Sequence, residues 1–319
     1  MTDPGPMITA RGLRKSFPLR DGGSFEAVKG IDVDVRRGEA FGFLGPNGAG
    51  KSSTMRMIAA VSPVTGGTLR ILGLDPATDG SDIRGRIGVC PQEDSLDTEL
   101  SVLENLTVYG RYFGIPRATV RERAAELLDF VQLTEKKDAK VDDLSGGMKR
   151  RLTIARSMIN DPELILLDEP TTGLDPQARH VLWDRLFRLK QQGVTLVITT
   201  HYMDEAEQLC DRLVVMDKGL IVAEGSPAEL IRSHSTREVA ELRFGIGDTE
   251  GHSAKVTEIL GDLAERVEVL PDRLLVYTVD GEAALARVHE AGLSPVATLV
   301  RRSSLEDVFL RLTGRTLVD

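Results

Sequence analysis

The stretch Glu39-Ala-Phe-Gly-Phe-Leu-Gly-Pro-Asn-Gly-Ala-Gly-Lys-Ser-Ser53 limits what this chain can fold into more than any other part of it. Ala40 to Leu44 is a short apolar run of the kind that forms a strand buried on both faces. Gly45, Gly48 and Gly50, with Pro46, Asn47 and Ala49 between them, make a loop. Lys51, Ser52 and Ser53 then open an apolar pattern at helical spacing through Met55, Ile58 and Ala59. Strand, glycine loop and helix in that order match G-x-x-x-x-G-K-[ST], whose chemistry is phosphate binding. Glycines let successive backbone N–H groups turn inward, and the following helix points its positive end at the same place. Lys51 adds a mobile charge for the outer phosphates, and Ser52 offers a hydroxyl to Mg²⁺. Glycine loops also serve as plain turns, but this one lies where a strand feeds a helix. The stretch predicts a nucleoside-triphosphate site at the edge of an α/β sheet.

With 319 residues the chain has room for one large domain and a smaller one, and 41% hydrophobic residues supply the cores. No apolar run approaches the roughly 18 residues of a membrane span. Met-Thr-Asp-Pro-Gly-Pro at the start has neither the basic region nor the apolar core of a secretory signal. Cys90 and Cys210 form no disulfide framework and no metal spacing, which suits a reducing compartment. A net charge of −9 argues against a protein that holds nucleic acid through phosphate contacts. The expectation is a cytosolic protein whose membrane role, if it has one, goes through a partner.

Residues 1–6 are expected to be disordered. Ile8 to Phe17 reads as an edge strand, followed by the turn-rich Asp21-Gly-Gly-Ser24 and a second run from Ala27 to Val35. Phe17, upstream of the glycine loop, suits stacking on a nucleotide base, and a place in the core accounts for it equally well. Gly66 to Gly73 reads as a hairpin element and Arg86 to Cys90 as another strand. Gln92, just past that strand, suits Mg²⁺ coordination, orientation of a water, or plain service in a loop. Helical patterns at Ser101–Phe113 and Ala118–Leu133 form a helical insertion over about residues 95–160 rather than part of the β/α alternation.

Ser145 is a natural N-cap for a helix running to about Ile159, and Gly146 and Gly147 leave its first N–H groups open. That makes a second helix end fit for an anion, with a capped surface helix as the plainer alternative. Leu164 to Asp168 is a buried strand emerging at two acids. Asp168 suits Mg²⁺, and Glu169 suits proton acceptance from an attacking water. Pro170 should hold Glu169 in an extended backbone, so that the two carboxylates point apart. After the turn Thr172-Gly-Leu-Asp-Pro176 comes a helix from Gln177 to Gln191. Val194 to Thr200 is then another buried strand, with His201 at its exit, the edge where α/β sheets place ligands. His180, His234, His252 and His289 have no such placement and read as solvated.

In this order the pieces resemble the ATP-binding subunit of ABC transporters over roughly residues 7–230. Gly45–Ser52 is similar to the Walker A motif, Gln92 to the Q-loop glutamine, and Leu144-Ser-Gly-Gly-Met148 to the family signature. Leu164–Glu169 is similar to Walker B with its catalytic glutamate, Gly173-Leu-Asp175 to the D-loop, His201 to the switch histidine, and Phe17 to the A-loop aromatic. Met148 stands where many members carry Gln, a mild departure common in exporters of this type. The narrower likeness is to ABC-2-type exporters of the nodulation-factor and daunorubicin-resistance groups. It rests on Asn105–Phe113, Thr200-His-Tyr-Met-Asp-Glu-Ala-Glu207 and Leu305-Glu-Asp-Val-Phe-Leu-Arg-Leu-Thr-Gly314.

The resemblance implies a P-loop NTPase fold of the ABC ATPase type at residues 7–232, using ATP and Mg²⁺, the latter held by Ser52, Gln92 and Asp168. It implies two copies head to tail, with Ser145, Gly146 and Gly147 of one subunit reaching the γ-phosphate held by Lys51 of the other. It also implies a separate membrane permease near the Gln92 loop, and a peripheral location on the cytoplasmic face of the cell membrane. An importer ATPase shares these residues, and a soluble ABC ATPase acting on ribosomes or DNA is a further alternative. Against the latter stand one Walker A motif, no sustained heptads between Ser53 and Leu144, and the acidic charge. Residues 237–319 read as a small α+β domain. Its order β-α-β-β-α-β suggests a ferredoxin-like unit, fit for a subunit contact or regulation and without a chemical cluster.

Overall fold

The computed structural model describes residues 5–20, 22–245 and 249–314. Most of the expected disordered start, and Asp21 of the expected turn, lie outside the described residues. The chain divides into two compact units, Met1–Ser226 and Pro227–Asp319.

The first unit begins with strands β1 (Ile8–Pro18), β2 (Ser24–Val35) and β3 (Ala40–Leu44), then α1 (Lys51–Ile58), β4 (Gly66–Ile71), α2 (Gly80–Arg86) and β5 (Ile87–Cys90). Helices α3 (Val102–Tyr112), α4 (Arg117–Phe130) and α5 (Gly146–Ser157) follow. The unit closes with β6 (Leu164–Asp168), α6 (Pro176–Gln191), β7 (Thr195–Thr200), α7 (Met203–Leu209), β8 (Arg212–Asp217) and β9 (Leu220–Gly225). Its main sheet has the order β5-β6-β7-β3-β8-β9, and only β9 runs antiparallel to its neighbour. Every residue of β3 and of β7 is buried, as a strand covered on both faces requires. Phe41 and Phe43, two apart in β3 and so on one face, meet edge to face at 5.4 Å. That geometry adds about 1 kcal/mol to what burial supplies.

A second, antiparallel sheet has the order β2-β1-β4, so β1 is its centre and not an edge. The cause of the misreading is local. Register shifts between Ala10 and Leu13 and again between Lys15 and Ser16 break the two-residue alternation that marks a central strand. The expected hairpin element at Gly66–Gly73 is β4, which pairs with β1, placing Ile71 opposite Ile8. Arg86 ends the short α2 instead of starting β5, and its guanidinium bonds Glu163 at 2.8 Å.

The helical insertion forms with its own core, including Val102, Leu106, Val120, Ala124, Leu128 and Leu152. Ser101 and Glu104 make a capping box at the start of α3, which stabilises the helix by about 1 kcal/mol. Cys90 and Cys210 are free and buried, and burial pushes the Cys90 thiol up to about 11. Among the described residues no helix is long and apolar enough to cross a membrane.

The second unit holds α8 (Pro227–His234), β10 (Glu238–Arg243), α9 (Thr249–Leu260), β11 (Arg266–Val269), β12 (Leu274–Thr278), α10 (Gly281–Glu290), β13 (Ala297–Arg302) and α11 (Leu305–Thr313). It starts a few residues before the expected boundary because α8 packs against α11. Its sheet runs β11-β12-β10-β13, all antiparallel, which is the ferredoxin-like strand order. Alternate residues serve opposite faces: Leu242 and Val276 meet Val256 and Val288, while Val239 and Tyr277 meet Leu310. On that second face Glu241 lies 2.9 Å from Arg273 and 2.7 Å from Arg301. Arg301 reaches Asp307 at 2.7 Å, and the Tyr277 hydroxyl donates to Asp307 at 3.1 Å. Among the four histidines read as solvated, His252 instead stacks on Phe244 at 4.2 Å.

Candidate active site

Four parallel strands, β5, β6, β7 and β3, lie side by side and deliver their C-terminal ends to one edge. Gln92 follows β5, Asp168 ends β6 and Glu169 follows it, Thr199 and His201 come from the end of β7, and the glycine loop follows β3. Residues scattered over some 150 positions of sequence meet there for that reason alone.

The loop is shaped by two walls. A Cβ at Gly45 would lie 2.3 Å from the Met216 carbonyl oxygen, and one at Gly50, whose φ is +102°, would lie 2.5 Å from that of Ala27. Only glycine fits either place. Lys51 folds back over the loop, donating to the Gly45 carbonyl at 2.7 Å and the Pro46 carbonyl at 3.1 Å. Its ammonium also lies 3.6 Å from Glu169 Oε1. Burial presses the Lys51 ammonium below its ordinary pKa, opposed by the Glu169 and Asp168 charges.

Glu169 corrects one expectation. Its backbone is left-handed, with φ +45°, and not extended. Its N–H donates to the Thr199 carbonyl at 3.1 Å and the Thr199 hydroxyl at 3.0 Å. These two bonds outweigh the local preference set by Pro170 and sustain a conformation that costs roughly 1–2 kcal/mol. The two acids still serve different neighbours. Asp168 accepts from Ser52 at 3.3 Å and from Thr199. The Glu169 carboxylate accepts from Gln92 Nε2 and from Thr172, both at 3.1 Å. His201 Nδ1 faces it at 3.3 Å, off-axis for a linear hydrogen bond. His201 first, then Lys51 and Thr172, hold the Glu169 carboxyl below the usual carboxylate range against the opposing effect of burial. The Glu169 carboxyl is therefore ionised at neutral pH, the state that proton acceptance requires.

An open cleft of about 200 Å³ lies above the loop, lined by Phe17, Phe25, Ala27, residues 46–53, Gln92 and Glu169. Phe17 is 38% exposed, which rules out the core placement. Phe25 stands opposite it in the β1–β2 register and lines the same cleft. Sequence reasoning missed Phe25, although the pairing of two aromatics across a hairpin was the available signal.

Ser145 caps α5 as expected, its hydroxyl accepting from the Met148 N–H at 3.3 Å. Gly146 has open space around it, and a Cβ at Gly147 would meet that of Ala178 at 3.3 Å. Asp175 caps α6, accepting from the Ala178 N–H at 2.9 Å. Ser145, Gly146, Gly147 and Asp175 thus come together, but none of them lines the cleft of their own chain. Arg150, also missed, is 3% exposed and bonded wholly to backbone carbonyls. The cluster Lys149-Arg150-Arg151 gave no sign which of the three turns inward.

Fold and edge together define an ATP-binding cassette. Residues 28–172 match the family model described as ABC transporter, and residues 252–314 match that of the nodulation factor export protein NodI, C-terminal domain. A Nod factor export ATP-binding protein I of Ralstonia nicotianae is 45% identical over 318 residues, covering 98% of this chain and 96% of the relative. The protein of that name from Rhizobium sp. (strain N33) is 46% identical over 310 residues, covering 97% and 98%. The chain therefore belongs to the ATP-binding, ATP-hydrolysing subunits of ABC transporters, in the exporter group of these relatives. Among solved structures, a dimeric ATP-binding cassette, MJ0796, in a post-hydrolysis state with ADP and Pi superposes with a TM-score of 0.64 at 26% identity. It covers 69% of this chain and 98% of its own. The cbiO1 subunit of an ABC transporter complex from Clostridium perfringens gives 0.64 at 28% identity, covering 72% and 91%.

Proposed function

We propose that this chain energises export of a glycolipid-like cargo of the Nod-factor kind, working through a separate membrane permease on the cytoplasmic face of the membrane. Kinship with named export subunits along the whole chain, second unit included, supports the cargo class and disfavours the importer and soluble readings. The mechanism rests on the convergence of Lys51, Gln92, Thr172 and His201 on one carboxylate.

Lys51 leaves the carbonyls of Gly45 and Pro46 to hold the outer phosphates, and the ring of Phe17 or Phe25 takes the base. Ser52, Asp168 and Gln92 offer hydroxyl, carboxylate and amide oxygens, a hard donor set that fits Mg²⁺. Mg²⁺ held by these residues would supply charge neutralisation at the phosphate oxygens. Glu169 accepts the proton of the attacking water, while Gln92 and His201 hold its carboxylate in place. Ser145, Gly146 and Gly147 are presented to a second copy, head to tail, with Asp175 beside them. A groove of about 380 Å³ between the Gln92 loop and α3, lined by Pro91, Tyr109, Tyr112 and Arg156 among others, is the seat for the permease.

Glu169→Gln tests the mechanism. The amide keeps the size of the side chain but takes no proton at neutral pH. ATP binding should survive while hydrolysis falls by roughly 10²–10⁴. A variant that hydrolyses at the native rate would remove Glu169 from the base role. Export of labelled lipo-oligosaccharide by cells with and without this subunit tests the cargo; equal export in both would sink it.

A further inference from the structure

We infer that Arg150 is a positioning residue that ties α5 to both the Gln92 loop and the Asp168–Pro170 segment, so that the helical insertion cannot turn without carrying both sides of the catalytic pair. The guanidinium is buried, 3% exposed, and all its hydrogen bonds go to carbonyl oxygens. Nε donates to Pro170 at 2.7 Å, and one terminal nitrogen donates to Asp168 at 2.9 Å and Glu169 at 3.2 Å. The other terminal nitrogen donates to Pro91 and, at 3.2 Å, to Gln92. Asp94, 3.8 Å away, is the one carboxylate near it among the ion pairs of the described residues.

Pro91, Gln92, Glu169 and Pro170 lie beyond their strands and Asp168 is the last residue of β6, and although the Glu169 carbonyl also takes the Thr172 N–H at 3.3 Å, a buried carbonyl left without a donor costs about 1–3 kcal/mol. A single planar fork satisfies two chain segments at once because its donors diverge at fixed angles. The grip extends along one stripe of α5. Thr153, three residues on, donates to the Asp94 carboxylate at 3.1 Å, and Arg156, three further, bonds both the carbonyl and the hydroxyl of Ser95. Residues 91–95 therefore lie along the helix that begins at Ser145. The 3.1 Å bond from Gln92 to Glu169 is then set by α5, with each partner held through its own backbone carbonyl. Displacement at the exposed start of α5 reaches the proposed base and its amide partner as one movement.

This inference rests on the reading of Glu169 as the base, and the test separates the two. Arg150→Lys keeps the charge and loses the fork. In the full chain, kcat for ATP hydrolysis should fall at least tenfold while KM changes less than twofold. Hydrogen exchange of the amides at 92–95 and of Asp168, Glu169 and Thr171 should quicken in both segments together. The exchange result stands whatever the role of Glu169. A native kcat, a KM that rises in step with the loss of kcat, or faster exchange in one segment alone would overturn the inference. If Arg150→Lys lacks the native far-ultraviolet spectrum, Thr153→Val, near in size and likewise buried, takes its place. It should quicken exchange at 92–95 and lower kcat a few-fold at constant KM, and native values of both would overturn the inference.

Discussion

The Ser52 hydroxyl lies 3.3 Å from a carboxylate oxygen of Asp168, joining the first turn of α1 to the end of β6 across 116 positions of sequence. The two oxygens, with Gln92, line one cavity.

If that pair holds Mg²⁺, Asp168→Asn should abolish the gain in ATP affinity that Mg²⁺ gives over a chelator. The amide preserves the packing and the Thr199 contact can be remade, so folding should hold. Calorimetry with Mg²⁺ and with EDTA measures the difference; a full Mg²⁺ effect in the variant would remove Asp168 from the metal site.

Lys51→Ala should weaken ATP binding by roughly 2 kcal/mol, the worth of a hydrogen bond to a charged group, or about thirtyfold. It also deprives Glu169 of a cation 3.6 Å away, so the carboxyl should become easier to protonate. Titration calorimetry decides, and unchanged affinity would count against the loop assignment.

Phe17→Ala and Phe25→Ala should each lower ATP affinity by on the order of 1 kcal/mol if their rings face the base, with GTP affected alike. Because both rings are exposed, thermal stability should move little. Lower stability at constant affinity would assign them to packing instead.

In the second unit, burial opposes the charge on Asp307, but Arg301, the Ser304 N–H and the Tyr277 hydroxyl outweigh it and hold this carboxyl below the usual range. A lowered pKa contributes stability that is present above the unfolded value near 4 and is lost as pH falls through the folded value. Asp307→Asn leaves Arg301 short of a partner and should cost about 3 kcal/mol at pH 7. Urea unfolding should show the gap between native protein and variant holding from pH 7 to about 5 and narrowing below about 4. A gap independent of pH would assign the effect to packing alone.

What the sequence disclosed follows from how each feature is held. The strands β3, β6 and β7 were legible because burial on both faces leaves an unbroken apolar run, and the ferredoxin-like order followed from strands and helices of ordinary length. The central place of β1 was hidden by its bulges, and the partner of β4 lies some sixty residues upstream, where no local pattern points. The residue types of the site were legible, since phosphate and proton chemistry allow few. Their support was not. The left-handed Glu169 is set by Thr199, thirty residues on, against the rule for a residue before proline. Arg150 answers to carbonyl oxygens, which every residue has and no sequence marks.

The walls behind Gly45 and Gly50 have a consequence for which molecules this protein will accept. The Ala49 carbonyl also takes the Gly219 N–H at 3.0 Å, and the Gly45 N–H reaches the Thr200 carbonyl at 3.3 Å, so the loop is held at the end of β7, at the turn between β8 and β9, and against β2. It has no slack with which to adjust to its guest. On the proposed reading, a frame of that kind would work as a gauge for the spacing of the phosphates. The base, on the same proposal, would meet the exposed rings of Phe17 and Phe25 on a hairpin, which offer every purine the same flat face. Such a site would be strict about the fuel's tail and tolerant about its head.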